Sequence, residues 1–265
     1  MKKSYFIFVV ALLAAIVSFS AVFADGEKTL VVGFDQNFPP YGYVGKDGEF
    51  TGYDLDLAAE VAKRLDLEIV YQPIDWDAKD MELDSGTIDL IWNGFTIQGR
   101  EDDYTWTETY KEAGQIVLVA AKSGIVDLKD LSGKVVAVQT DSAGLAALED
   151  EANAELTASF KDLTIVPDYN QAFMDLEAGA VDAIVMDVDV ALFQIKGKDD
   201  DYRILDEYIQ KEDYAVGFKL GNEELRDKVQ EALNEMAKEG FISKLSEKYF
   251  SYDSCALAAC EKSAE

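Results

Sequence analysis

Leu83-Asp84-Ser85-Gly86-Thr87-Ile88-Asp89-Leu90-Ile91 and Leu176-Glu177-Ala178-Gly179-Ala180-Val181-Asp182-Ala183-Ile184, about ninety residues apart, carry nearly the same text. Each reads as the end of a helix, a glycine stop and a short buried strand. A second pair matches more weakly: Leu30-Val31-Val32-Gly33-Phe34-Asp35 against Lys134-Val135-Val136-Ala137-Val138-Gln139, both apolar strands running into a polar loop. The pairs occur in the same order, so the chain reads as two lobes of related α/β design. Parallel sheets gather ligand-binding groups at the carboxyl ends of their strands. Two such ends face to face would enclose a cleft.

Outward from these repeats, apolar runs predict strands over 29–34, 67–74 and 87–92. Between them lie a helix entered at 48–53, with Asp54 at or near its N-cap, and a short helix over 78–83 stopped at Gly86. A second unit repeats the order: strand 134–139, helix 143–153, strand 163–167, helix 170–177 and strand 180–186. This βαβαβ order predicts mainly parallel sheets with right-handed crossovers, flanked by helices. Strand-like crossings near 114–120 and 213–219 act as a double hinge in this reading, which suits clamshell closure. Amphipathic helices are expected over 222–236 and 242–249. The parts are then a signal peptide (1–24), lobe one (25–114 and 219–250), lobe two with the hinge strands (115–218) and a tail (251–265).

Composition narrows the function classes. Asp and Glu number 52 against 24 Lys and Arg, and there is no histidine. Such an acidic chain does not bind nucleic acid or anionic lipid through a general field, although it favours cationic solutes. The commonest general base and metal ligand is missing. No phosphate-cradling glycine loop, nucleophile elbow or zinc motif occurs, so no cofactor or metal is expected. Asp199-Asp200-Asp201 and Glu101-Asp102-Asp103 lack the alternating spacing of a calcium loop and read as solvated acidic loops.

The first residues, Met1-Lys2-Lys3, an apolar run from Tyr5 to Val17 and Val22-Phe23-Ala24, read as an export signal cut after Ala24, with an uncleaved anchor as the alternative. No cysteine lies at this junction, so a lipid-attached form is not expected. The two cysteines, Cys255 and Cys260, sit in the tail as a local disulfide or as free thiols, the bridge being favoured in an exported protein.

Several blocks resemble a known family: Val32-Gly33-Phe34-Asp35-Gln36-Asn37-Phe38-Pro39-Pro40-Tyr41, Gly52-Tyr53-Asp54-Leu55-Asp56, Asp75-Trp76-Asp77, Gly94-Phe95-Thr96-Ile97 with Arg100, Asp130-Leu131-Ser132-Gly133-Lys134 through Thr140, and Gly240-Phe241 with Lys248-Tyr249-Phe250. They are similar to the bacterial solute-binding proteins (family 3) of polar amino-acid ABC importers, and follow that family's order through nearly the whole mature chain. The resemblance implies a two-lobed, periplasmic-binding-protein-like clamshell that closes on one amino acid and delivers it to a membrane permease. It also implies a periplasmic or extracellular protein; a monomer is expected. Two other functions remain open. One is a dehydratase of cyclic hydroxy acids on the same scaffold, and the other is a sensor domain on a retained anchor.

Capturing a free amino acid requires a cation for its carboxylate, a carboxylate for its ammonium and a walled pocket for its side chain. Arg100 matches the family's carboxylate-binding arginine, although Thr96 to Arg100 is one residue shorter than usual; a surface pair with Glu101 or Asp102 is the alternative. Asp187, equivalent to Gly94 by the internal repeat, is expected to take the ammonium, with Asp189 as substitute. Thr96 and the Gly94 carbonyl would add hydrogen bonds, and Ser142 would present its hydroxyl and amide to the carboxylate while capping a helix. Phe38 and Trp76 match the ring positions that sandwich the ligand side chain, and otherwise would be core. Asp35, Asn93 and Gln139 would face its distal part. An acid beside two rings favours arginine or lysine, then glutamine.

Overall fold

The computed structural model describes residues 28–261, so the expected signal segment and its cleavage junction lie outside the described residues. Strand β1 (Thr29–Phe34) pairs parallel with β5 (Glu68–Pro73) on one side and with β6 (Leu90–Ile91) on the other. Between them come a small sheet, β2 (Asn37–Phe38), β3 (Gly42–Val44) and β4 (Phe50–Thr51), then α1 (Tyr53–Arg64) and α2 (Lys79–Ser85). Strands β7 (Tyr104–Trp106) and β14 (Gly217–Lys219) extend the first sheet antiparallel in the order β5-β1-β6-β14-β7.

The long β8 (Lys111–Ala120) then enters the second sheet. Its parallel core is β10 (Asp162–Val166), β9 (Val135–Gln139) and β11 (Ala183–Asp187), to which β8 adds antiparallel. Strands β12 (Tyr202–Ile204) and β13 (Gln210–Tyr214) both pair with β8. Helices α3 (Ala143–Glu149), α4 (Ala154–Ser159), α5 (Tyr169–Ala178) and α6 (Val188–Gln194) cover this sheet, and α7 (Glu223–Lys238), α8 (Phe241–Phe250) and α9 (Ala258–Glu261) return to the first lobe.

The opening repeat has a physical cause. Helices α2 and α5 end on left-handed glycines, Gly86 (φ 77°) and Gly179 (φ 72°), a conformation that costs a residue with a Cβ. Three residues on, Asp89 accepts the Val31 amide at 2.7 Å and returns its own amide to the Val31 carbonyl at 2.9 Å. Asp182 does the same with Val135, at 2.8 Å each way. These aspartates hold strand to strand by side chain, and β6 and β11 begin just beyond them rather than at 87 and 180 as predicted.

Other boundaries shift for local reasons. Gly52 is the residue that caps α1, and Asp54, expected at or near that cap, is a buried residue of its first turn. The helix expected over 143–153 stops at Glu149, where Asp150 turns extended and caps a short 3₁₀ turn by accepting the Ala152 amide. The core runs continuously from lobe to lobe: Val32, Leu55 and Leu90 of the first belong to one cluster with Tyr169, Ile184 and Met186 of the second. Cys255 and Cys260 form a disulfide in the tail, beside the buried Leu257.

Candidate functional site

All ten sequence-selected residues line one small, nearly closed void between the lobes. Asp35 and Phe38 come from the chain following β1, Trp76 from the turn after β5, and Asn93, Gly94, Thr96 and Arg100 from the loop after β6. Gln139 and Ser142 come from the β9–α3 junction, and Asp187 ends β11. The carboxyl ends of parallel strands thus face each other, as that topology directs.

At one end stands Arg100. Its Nη2 donates to the Asp141 carbonyl of the other lobe at 2.9 Å, and its guanidinium lies 5.3 Å from the Phe95 ring centre. No carboxylate lies within ion-pair distance among the described residues, so pairing with Glu101 or Asp102 is not what the structure contains. Asp141 reaches Arg100 because its backbone is left-handed (φ 52°), a conformation aspartate tolerates better than most residues. Its carbonyl also accepts from Trp76 Nε1 at 3.1 Å, and its carboxylate pairs with the buried Lys79. The Ser142 hydroxyl is committed: it donates to the Gln139 carbonyl at 2.8 Å and accepts the Leu145 amide at 3.1 Å. Ser142 thus caps α3, one of the two roles expected of it, with its hydroxyl proton given to the Gln139 carbonyl.

At the other end stands Asp187, buried, accepting a hydrogen bond from the Tyr214 hydroxyl. Burial, then the neighbouring Glu212, pushes its carboxyl well above the usual range. Asp189, the possible substitute, is placed otherwise. It pairs with Lys111 Nζ at 3.0 Å, accepts the Tyr41 hydroxyl at 2.7 Å and does not line the void.

The side-chain end is aromatic and acidic. Phe38 stacks on Tyr41 with ring centres 5.6 Å apart, and Trp76 meets Phe95 edge-on at 5.4 Å. Asp35 accepts the Asn37 amide at 2.7 Å and, across the cleft, Gln139 Nε2 at 2.9 Å; burial nevertheless raises its pKa. The Asn93 side-chain oxygen, Oδ1, is buried with no partner among the described residues. These cross-lobe bonds, with Asn170 Nδ2 donating to Asn37 Oδ1 at 3.0 Å, hold the clamshell closed.

Three contributors were not selected from the sequence. Tyr169, fully buried, lines the void from the first turn of α5; its place after the β10 strand was the available signal. Asp54 accepts the Gly94 amide at 2.5 Å and the Tyr110 hydroxyl at 2.9 Å, fixing the turn in which Gly94 (φ 56°) sits. A Cβ at Gly94 would stand 3.1 Å from Phe38 and 3.2 Å from Tyr214, so only glycine leaves both rings undisturbed. The third, Glu212, lies behind Asp187.

Burial pushes Asp54 and Glu212 up to about 7 and also raises Asp35 and Asp187. A carboxyl raised on folding binds more protons folded than unfolded between its two pKa values, so its contribution to stability falls as pH rises through that window. The ligand-free protein is therefore expected to be more stable at about pH 5 than at about pH 8. Urea unfolding at both values checks this, and Asp54→Asn should flatten part of the difference. A stability that rises with pH would contradict the burial argument.

Residues 30–252 match the family described as bacterial extracellular solute-binding proteins, family 3. An L-cystine-binding protein (TcyJ) of Escherichia coli strain K12 is 32% identical over 228 residues, covering 85% of this chain and 84% of that one. An arginine-binding extracellular protein (ArtP) of Bacillus subtilis strain 168 is 30% identical over 234 residues, covering 85% and 88%. Among solved structures, the substrate-binding protein of an ABC uptake transporter from Streptococcus pneumoniae, with bound histidine, superposes with a TM-score of 0.82 at 32% identity, covering 86% of this chain and 95% of that one.

Proposed function

The chain belongs to the bacterial extracellular solute-binding proteins of family 3, and from that premise we propose that its cleft captures one free polar amino acid, arginine or lysine before glutamine, for an ABC import permease. The observation that carries this reading is the placement of Arg100, Asp187 and Asp35 on the wall of one void. Arg100 and the Ser142 amide take the ligand carboxylate. Asp187, Thr96 and the Gly94 carbonyl take its ammonium. Phe38 and Trp76 flank its side chain, while Asp35, Asn93 and Gln139 meet the distal polar group. Contacts from both lobes are complete only on closure, so differential affinity favours the closed state. Export by the N-terminal segment, without a lipid anchor, and action as a monomer in the periplasm or outside the cell belong to the same reading.

The charge around Asp35 supports a cationic side chain. The groove leading outward from Asp35 carries Asp75, Asp77, Glu82 and Asp168, with no lysine or arginine along its wall. A cystine would bring a second carboxylate, with a second ammonium, to this acidic end, where no lysine or arginine on the groove wall would pair with the carboxylate. A thermal-shift panel of the common L-amino acids plus L-cystine tests the choice. A ligand at a hundred times its Kd adds roughly 2.7 kcal/mol of stability. L-arginine or L-lysine is expected to give the largest shift, and Asp35→Asn to reduce it while sparing L-glutamine. A largest shift with L-cystine, or indifference to Asp35→Asn, would remove the cationic assignment.

One observation favours the dehydratase reading: Asp187 and Glu212 are acids with raised pKa values beside the void, as general acid–base work requires. Incubation with a cyclic hydroxy acid is expected to yield no dehydrated product, because the relatives identified are binding proteins.

A further inference from the structure

Behind Asp187 the wall holds a second buried acid. Glu212, on β13, is 2% exposed. Its Oε2 accepts Gln115 Nε2 at 3.1 Å and lies 3.5 Å from the Tyr214 hydroxyl. Its Oε1 has no partner among the described residues. The same Tyr214 hydroxyl donates to Asp187, so one phenolic proton stands between two carboxyl groups.

The charged and titratable neighbours compensate this pair only in part: Gln115, Thr96 and the charge of Arg100 favour the ionised Glu212, yet burial outweighs them. On β8, Lys111 is taken by Asp189 of α6, 3.0 Å away, and Gln115 supplies an amide. From the first lobe, Arg100 rests on the Asp141 carbonyl, Thr96 faces Glu212 and Tyr41 is bonded to Asp189. From α5, Tyr169 offers a neutral phenol. Neither cation forms an ion pair with Asp187 or Glu212, and two unpaired charges buried side by side cost several kcal/mol. Retaining one proton removes most of that cost, as in other paired carboxyls.

We propose that Glu212 and Asp187 share one proton in the empty cleft and release it to solvent when a ligand's primary ammonium reaches Asp187. Glu212 is then a positioning residue that couples capture to proton release. The inference rests on the amino-acid reading above and deepens it. The raised Glu212 pKa, about 7, places the effect near neutral pH. The ammonium stabilises both carboxylates and lowers the pair's pKa in the complex. Kd therefore rises as pH falls through the free-state value, by up to about tenfold per pH unit, until the bound-state value is reached.

Calorimetry with L-arginine at about pH 7, in buffers of low and high ionisation enthalpy, counts the protons released. Wild type is expected to release a substantial fraction of one, and Glu212→Gln to bind with near-zero release and a flatter pH profile. Binding by wild type without release overturns the proposal. If L-arginine does not bind, the ligand assignment fails separately. The shared proton is then read from ¹³C-carboxyl NMR of the ligand-free protein. A glutamate resonance that titrates near pH 7 and is lost in Glu212→Gln is expected; ionisation of Glu212 below about pH 5 overturns the proposal whatever the ligand.

Discussion

Arg100→Ala is expected to weaken amino-acid binding by roughly 2–5 kcal/mol, on the order of thirty- to several-thousand-fold in Kd. The guanidinium lines the void with no carboxylate partner among the described residues, and it is oriented by a carbonyl of the opposite lobe. Without it, a ligand carboxylate would be buried against the Ser142 amide alone. Lysine should rescue poorly, because a point charge cannot reproduce the planar fork that bonds Asp141 and a ligand together. The variant should fold, since Arg100 is only half-buried and lies in a loop. Calorimetry on Arg100→Ala and Arg100→Lys measures both effects. Affinity within about threefold of wild type would show that Arg100 does not meet the carboxylate.

Lys111→Ala is expected to cost roughly 3–5 kcal/mol of folding stability while touching no residue of the void wall. Lys111 is fully buried at the start of β8, with its Nζ 3.0 Å from Asp189, 3.1 Å from the Tyr252 hydroxyl and 4.5 Å from the Phe250 ring centre. Burial, the largest influence, would lower its pKa, but Asp189 and Tyr252 together more than offset that and raise it. Removing the ammonium strands Asp189 as a buried charge, left with the Tyr41 and Tyr252 hydroxyls among the described residues. The double change Lys111→Met with Asp189→Leu should recover much of the loss, because neither charge then remains buried. Denaturant unfolding of the single and double variants checks the pair. A single-variant loss under about 1 kcal/mol would mean that water reaches Asp189.

Much of the site was legible because its residues follow strand ends. Asp35, Gln139 and Asp187 sit where apolar runs give way to polar ones, and the internal repeat places those ends at matching points of two units. Arg100 and the ring positions needed the family resemblance, since an arginine or an aromatic residue in a loop carries no local signature of its role. The structure gathers them in one void; the roles given to each remain the proposal. Asp54 shows the opposite limit. Its position ahead of an apolar helical stripe reads as a cap, but its carboxylate serves Gly94 and Tyr110, forty and fifty-six residues away.

Hydrophobic periodicity and glycine stops, acting within a dozen residues, determined the two-unit α/β architecture and the order of its strands and helices from the sequence by itself, though not every boundary. Tertiary structure decided what meets across the cleft: that Asp187 rather than Asp189 lines the void, that Asp141 turns left-handed to reach Arg100, and that Glu212 stands behind Asp187. The reason is range. Backbone geometry is set by near neighbours, whereas the state of a buried charge depends on which partners a distant part of the chain brings within a few ångströms.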